Sequence, residues 1–267
     1  MAQKLGLKEL TVAGAKIKLL EGGQGPDLLF LHGAEGPDTY SSAYLEQLAG
    51  SFRVLAPWHP GFGHSERPKA FTKIDDLAYF YLDFAEQCGL NNAVLAGASF
   101  GGWVAMEMAV RSSARFSHLV LSAPLGFKAG DREARDIFDL YLVGPADWPQ
   151  YFLADKSLLP DYPKRSAEEL MGIARSREAM TLYAWQPYMH NPVLMRWLHR
   201  VQLPTLFVWG DKDQMASADY GRAYASRVRG SRFELLTGAG HLGHVEQPDK
   251  FRDLVLNFVA NKKSAAA

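Results

Sequence analysis

Ser99 lies at the centre of Gly97-Ala98-Ser99-Phe100-Gly101, a G-x-S-x-G spacing. A serine hydroxyl is a weak nucleophile near neutral pH. It needs a base beside it, and the base needs a partner that orients it. Two later stretches carry suitable groups. Trp209-Gly210-Asp211-Lys212-Asp213 holds two carboxylates, and Gly240-His241-Leu242-Gly243-His244 holds two imidazoles. The order along the chain is Ser, Asp, His. These groups could perform acyl transfer: a hydroxyl attacks, an imidazole takes its proton, and a carboxylate holds the imidazole.

The elements around these groups must bring them to one place. Apolar runs at 27–31, 53–56, 93–96, 118–122, 204–209 and 232–236 read as strands, several of them buried on both faces. Two shorter strands, 10–12 and 16–20, flank a turn at Ala13-Gly14-Ala15. Helical spacing is seen at 74–88, 100–111, 217–229 and 248–261. Alternating strands and helices predict an α/β fold with a mostly parallel, eight-stranded sheet flanked by helices. Ser99 then sits at a sharp strand-to-helix turn, where small neighbours let the backbone pass closely. Asp211, Asp213 and His241 each follow a strand, so they emerge at the same carboxyl edge. The stretch 125–200 breaks the alternation. It carries six prolines and helical patches at 132–142 and 167–184. It reads as a helical cap inserted after strand 6, with 1–124 and 201–267 forming the core domain.

Composition narrows the classes. The 267 residues carry 29 Lys+Arg and 29 Asp+Glu, a net charge of zero that argues against nucleic acid or an anionic membrane as partner. A hydrophobic fraction of 48% with 22% charged residues is that of an ordinary folded protein. The single Cys88 excludes an intrachain disulfide and a cysteine zinc site. No apolar run has the length of a signal peptide or a membrane span, so a cytoplasmic location is expected. The final Asn261-Lys262-Lys263-Ser264-Ala265-Ala266-Ala267 reads as a frayed end.

Five short stretches, taken in order, resemble the α/β-hydrolase superfamily in its capped serine hydrolase branch. They are Leu31-His32-Gly33, Pro60-Gly61-Phe62-Gly63-His64-Ser65, Gly97-Ala98-Ser99-Phe100-Gly101-Gly102, Trp209-Gly210-Asp211-Lys212-Asp213, and Gly240-His241-Leu242-Gly243-His244-Val245-Glu246-Gln247-Pro248. The resemblance covers nearly the whole chain. It implies Ser99 as nucleophile, His241 as general base and Asp213 as the orienting acid, in preference to Asp211. It also implies an oxyanion hole built from the backbone N–H groups of Ala34 and Phe100, the latter at a helix N-terminus.

Other residues near these motifs read more plainly. His32 reads as a packed support for the oxyanion loop, and His59 and His64 as structural. His244 reads as a loop-packing or surface histidine. Glu35 reads as a solvated loop carboxylate, and Glu246 as a helix-start residue.

Within the resembled superfamily, a serine nucleophile argues against the epoxide hydrolases and haloalkane dehalogenases, which attack with aspartate. Hydrolases of carbon–carbon bonds in ring-fission products usually have a longer glycine run after the first His-Gly, and a tryptophan after the triad histidine. Here the run is His32-Gly33-Ala34-Glu35-Gly36-Pro37, and Leu242 follows His241. The perhydrolase branch usually has methionine where this chain has Phe100. The expected activity is therefore hydrolysis of carboxylic esters or lactones of small, largely apolar molecules. No cofactor and no metal is implied; the partner is a small-molecule substrate, and a homodimer is left open. The alternatives are carbon–carbon hydrolysis of vinylogous diketones, and a ligand-binding module that keeps the scaffold. Aromatics in 125–200, among them Trp148, Phe152 and Tyr183, are expected mainly to pack the cap onto the sheet. Some should line a pocket that prefers medium apolar acyl groups to acetyl.

Overall fold

The chain opens its sheet with a hairpin. Strand β1 (Gly6–Val12) pairs antiparallel with β2 (Ala15–Gly22), from Gly6 opposite Glu21 to Val12 opposite Ala15. Ala13 and Gly14 make the turn at φ of 47° and 79°. Two positive values in succession match the twist of the flanking strands. In this computed structural model, which describes residues 2–131 and 133–261, six further strands complete the sheet. They are β3 (Asp27–Leu31), β4 (Arg53–Pro57), β5 (Ala93–Ala98), β6 (Phe116–Ser122), β7 (Thr205–Gly210) and β8 (Arg232–Leu236). The spatial order is β1-β2-β4-β3-β5-β6-β7-β8. β2 meets β4 antiparallel, and every pairing from β4 to β8 is parallel. The carboxyl ends of β3, β5, β7 and β8 therefore share one edge.

Helices cover both faces, which is why every residue of β5 and β7 is buried. On one face lie α1 (Ser42–Leu48) and α9 (Pro248–Ala260), whose Leu45, Leu48, Phe251 and Val255 pack on Leu28, Phe30, Val94 and Val208. The other face carries α2 (Ile74–Gln87), α3 (Phe100–Arg111) and α7 (Ala218–Ala225). α2 buries a stripe from Ile74 through Leu77, Tyr81 and Phe84. α3 is buried from Phe100 through Val110, as a helix against the middle of a sheet must be. Its one buried charge, Glu107, accepts from Trp103 Nε1, Asn191 Nδ2 and Arg111. α1 has too short an apolar spacing to stand out in the sequence.

Between β6 and β7 the chain forms α4 (Trp148–Phe152), α5 (Ala167–Ala184) and α6 (Leu194–Trp197), with short 3-10 turns around them. Ser166 and Glu169 cap α5 reciprocally, each bonding the other's backbone N–H. The expected helix at 132–142 is not found. Arg132 lies outside the described residues, and of the rest only Leu140–Leu142 makes a 3-10 turn. Two aspartates take its place. Asp131 accepts the N–H groups of Glu133 and Ala134, and Asp136 those of Ala129 and Gly130. Such local bonds offer the backbone an alternative to the helix. Ile137 then bridges to Ala216. Lys262 to Ala267 also lie outside the described residues.

The turn after β5 is tightly packed. A Cβ on Gly101 would lie 2.1 Å from the carbonyl oxygen of Leu31, whereas one on Gly89 would meet nothing within 4 Å. Gly101→Ala should lower stability by about 3 kcal/mol in urea unfolding, through forced displacement of β3. Gly89→Ala should cost about 1 kcal/mol, from its positive φ alone. Equal costs would contradict the close approach of α3 to β3.

Candidate active site

The backbone at Ser99 is bent into a region that side-chain-bearing residues avoid, with φ 52° and ψ −118°. Such a conformation stores on the order of 1–3 kcal/mol and persists only where surroundings fix it. Ser99 N–H donates to the Ser122 carbonyl at 2.9 Å, and the Ser99 carbonyl accepts from Trp103 and Leu125. The flanking glycines are required sterically. A Cβ on Gly97 would sit 2.5 Å from the Gly101 carbonyl oxygen. The result lifts the Ser99 hydroxyl out of the sheet edge, 7% exposed.

His241 and Asp213 meet this hydroxyl. Ser99 Oγ lies 2.8 Å from His241 Nε2, and His241 Nδ1 lies 2.8 Å from Asp213 Oδ2. Both ends of the Asp213–His241 pair are buried, with side-chain exposures of 0% and 1%. Asp213 Oδ1 accepts the N–H groups of Met215 and Ala216, so Oδ2 is turned to the imidazole. Asp211 does something else: its carboxylate is exposed and accepts from Gly238 N–H at 2.7 Å. The two loops touch along their length. Lys212 N–H donates to the Ala239 carbonyl, and a Cβ on Gly210 would lie 2.1 Å from the Gly240 carbonyl oxygen.

Glu246 corrects the helix-start expectation. It ends the short α8 (Gly243–Glu246), while α9 begins at Pro248 after Gln247. Its carboxylate accepts Gly240 N–H at 2.5 Å and Asp155 N–H at 2.7 Å. Glu246 thus ties the His241 loop to the segment after α4. Leu242 N–H to the Phe152 carbonyl repeats the link.

Ala34 lines the cleft beside Ser99, on the loop after β3. Phe100 is the first residue of α3, a position whose N–H has no acceptor within its own helix. Its ring points inward, against His59 and Phe62. Among the described residues, no three His, Cys, Asp or Glu side chains converge as a metal-ligand set.

Among the described residues, three histidines besides His241 are buried, in two groups. The His32 and His59 rings lie against each other at a tilt of 39°, with centroids 4.0 Å apart. His32 Nδ1–H donates to the Gly33 carbonyl and His32 Nε2 accepts His59 N–H; His59 Nε2–H donates to the His32 carbonyl and His59 Nδ1 accepts from Tyr81 Oη. These bonds use each ring as one donor and one acceptor, which is the neutral form. His32 so braces the loop that carries Ala34. His64 is partly exposed and faces Glu168 at 3.9 Å. His244 is buried rather than at the surface, 3.0 Å from Ser41 Oγ and 3.2 Å from Ser122 Oγ. Burial, helped by the neighbouring His241, pushes its pKa down to about 3. Burial likewise lowers His59 to about 3 and His32 well below the usual histidine range.

Glu35 is the largest departure from expectation. It is not solvated: its side chain is fully buried and ion-paired with Arg177 of α5. No motif marked Arg177, Tyr40, Ser41 or Tyr162, because they reach the site from other elements. The cleft itself is lined by Gly33, Ala34, Ser41, Phe152, Leu242 and His244, together with Glu35, Gly36, Tyr40, Ser99 and His241. Its volume is about 20 Å³, close to the space that one water molecule needs. Of the aromatics among the described residues of 125–200, Phe152 alone borders it, while Phe127 stacks on Tyr224 and Phe138 on Tyr151. A medium-length acyl chain therefore enters only if the segment over the cleft shifts.

The alpha/beta hydrolase family matches residues 28–254, and the chain belongs to it. It is 29% identical over 275 residues to 2-hydroxymuconate semialdehyde hydrolase of Pseudomonas sp. strain CF600, covering 97% of this chain and 95% of that one. Its fold is similar to that of a meta-cleavage product hydrolase from Pseudomonas fluorescens IP01, with TM-score 0.78, 21% identity, and coverage of 96% of this chain and 98% of the other. It is also similar to an esterase from Rhodococcus sp. ECU1013, with TM-score 0.74, 18% identity, and coverage of 96% and 98%. Among the described residues, no helix is long and apolar enough to cross a membrane.

The buried histidines set a pH dependence. Unfolded, each titrates near 6.5. Folded, His32, His59 and His244 stay neutral well below that. Acid therefore favours the unfolded chain, and stability is full above pH 6.5 and lost as pH falls. Each such histidine should remove about 1.4 kcal/mol by pH 5.5. Urea midpoints should fall steeply from pH 7 to pH 5, and His244→Gln should flatten the slope. A midpoint constant over that range would contradict neutral burial.

Proposed function

We propose that this hydrolase cleaves carboxylic esters or lactones of small molecules through an acyl-enzyme on Ser99. The observation that carries the reading is the continuous chain from Asp213 through His241 to Ser99, with both links at 2.8 Å. In the proposed reaction, His241 Nε2 takes the hydroxyl proton as Ser99 Oγ attacks the substrate carbonyl carbon. Asp213 holds the Nδ1–H tautomer and stabilises the imidazolium that forms. The tetrahedral oxyanion accepts from the N–H groups of Phe100 and Ala34, aided by the positive end of α3. The intermediate collapses, and His241 returns its proton to the departing alcohol oxygen. Water then attacks the acyl carbon with His241 as base, and releases the acid and free Ser99. The segment 125–200 acts as the cap: Phe152 lies 6.1 Å from the His241 ring, and Glu246 and Leu242 bind the two together. It shields the acyl-enzyme and must shift to admit substrate.

The same three residues would serve carbon–carbon cleavage in a ring-fission product. The 29% identical semialdehyde hydrolase supports that as the second reading. Measuring kcat/KM for an aryl ester and a vinylogous diketone side by side separates the two. A value for the diketone more than about tenfold above the ester would favour the second.

Ser99→Ala should cut kcat on the better substrate by at least about 1,000-fold without altering the fold. Asp213→Asn should cost about 10⁴-fold, because the imidazole would take the wrong tautomer, whereas Asp211→Asn should cost less than about threefold. Steady-state kinetics of the three variants check this. Retention of a tenth of the activity by Ser99→Ala, or reversed penalties for the two aspartates, would contradict the assignment.

A further inference from the structure

A buried ion pair sits in the cleft wall, and the proposed hydrolysis does not use it. Glu35 follows the oxyanion residue Ala34, and its side chain is 0% exposed. Arg177 reaches it from α5. Arg177 Nε donates to Glu35 Oε1 at 2.8 Å, and Nη2 donates to the same oxygen. The rest of the guanidinium is also engaged: Nη2 with Tyr162 Oη at 2.7 Å, and Nη1 with the Pro145 carbonyl at 2.6 Å. Its Cζ lies over the Trp148 ring, 5.0 Å from the centroid, and over the Tyr162 ring at 5.5 Å. Beside the pair, the Tyr40 hydroxyl is buried, with Tyr162 and Glu35 as its polar neighbours.

Position decides what this does to a substrate. Glu35 and Tyr40 line the cleft with Ser99, and Arg177 lies one hydrogen bond behind Glu35. Glu35 belongs to the cleft wall and Arg177 does not, so the negative member of the pair is the nearer to an acyl group on Ser99. Arg177 has its fork committed to protein acceptors, so it offers little to an incoming anion. A substrate carboxylate would lose its hydration and gain only a like charge. An uncharged acyl group pays neither cost.

We propose that the buried Glu35–Arg177 pair makes this cleft selective for uncharged acyl groups, with Glu35 as the residue that excludes carboxylate-bearing substrates. The proposal rests on the reading of Ser99 as nucleophile. It differs from a clasp that merely holds α5 to the loop after β3, since loss of a clasp would slow all substrates alike. Selection by charge changes the ratio between substrates.

The test compares 4-nitrophenyl butanoate with 4-nitrophenyl hemisuccinate at pH 8. The acyl chains are equally long and differ by a terminal carboxylate, so any opening of the cleft cancels in the ratio. The wild type should favour the butanoate by about 100-fold or more in kcat/KM. Glu35→Gln frees the guanidinium and should reduce that ratio at least about tenfold. The double variant Glu35→Gln/Arg177→Met removes both charges and should move the ratio back toward the wild-type value. If Glu35→Gln does not fold, Arg177→Met supplies the reciprocal test. It leaves Glu35 unpaired and should raise the ratio. A readout without turnover is thermal unfolding with sodium butanoate, whose anion should stabilise Glu35→Gln and leave the wild type unchanged. A wild type that takes both esters equally, or a ratio unchanged in the single variants, overturns the selection. If the wild type hydrolyses neither ester, the Ser99 reading fails, and the butanoate shift alone decides the charge selection.

Discussion

A serine hydroxyl can stand clear of a buried parallel sheet only if the backbone beneath it turns more sharply than most residues allow. At Ser99 the chain leaves β5 and enters α3 within one residue, at φ 52°. That turn needs room on both sides. Gly97 gives it to the α3 backbone, and Gly101 gives it to the end of β3, each where a Cβ would come within 2.5 Å of a carbonyl oxygen. The bend is held by Ser122 of β6, whose carbonyl accepts Ser99 N–H. Three adjacent parallel strands thus fix one side chain. The loops after β7 and β8 bring Asp213 and His241 to the same edge because those strands lie next in the sheet.

The charges around this edge follow one rule: each buried ionisable group is neutral or paired. His32 and His59 hold each other neutral beneath the Ala34 loop. His244 is kept neutral between two serine hydroxyls, so it places no charge beside His241. Glu107 is met by Arg111 in the core, and Glu35 by Arg177 in the cleft wall. His241 is then the imidazole at this edge with both a carboxylate and the Ser99 hydroxyl in reach. That is the placement a general base requires.

What could be read from the sequence was whatever local sterics enforce. The glycine spacing around Ser99 is such a signal, because backbone crossing admits no other residue. The apolar runs of β5 and β7 are another, being buried on both faces. Asp213 was less legible than Ser99, since Asp211 follows the same strand. What separates them is the turn in which Met215 and Ala216 bond Asp213, which has no spacing of its own. Glu35 was misread as solvated because its partner is remote, Arg177 lying 142 residues later; His244 packs its loop, and the sequence left that open against a surface position because Ser41 lies 203 residues before it. The helix expected at 132–142 failed for a different reason. Its apolar pattern was outweighed by Asp131 and Asp136 bonding nearby amides.

The central claim is that Ser99 becomes acylated, and trapping that adduct tests it most directly. The wild-type enzyme keeps the base that activates Ser99, and the good phenolate leaving group of an activated aryl ester makes acylation fast and deacylation the slow step, so a quench within the first turnovers catches the adduct. On exposure to an activated aryl ester and acid quench, digestion and mass spectrometry should place the acyl mass on the peptide containing Ser99, at close to one equivalent. The same mass on the peptide containing Ser41, which shares the cleft beside His244, or no adduct on the wild type, would contradict the account.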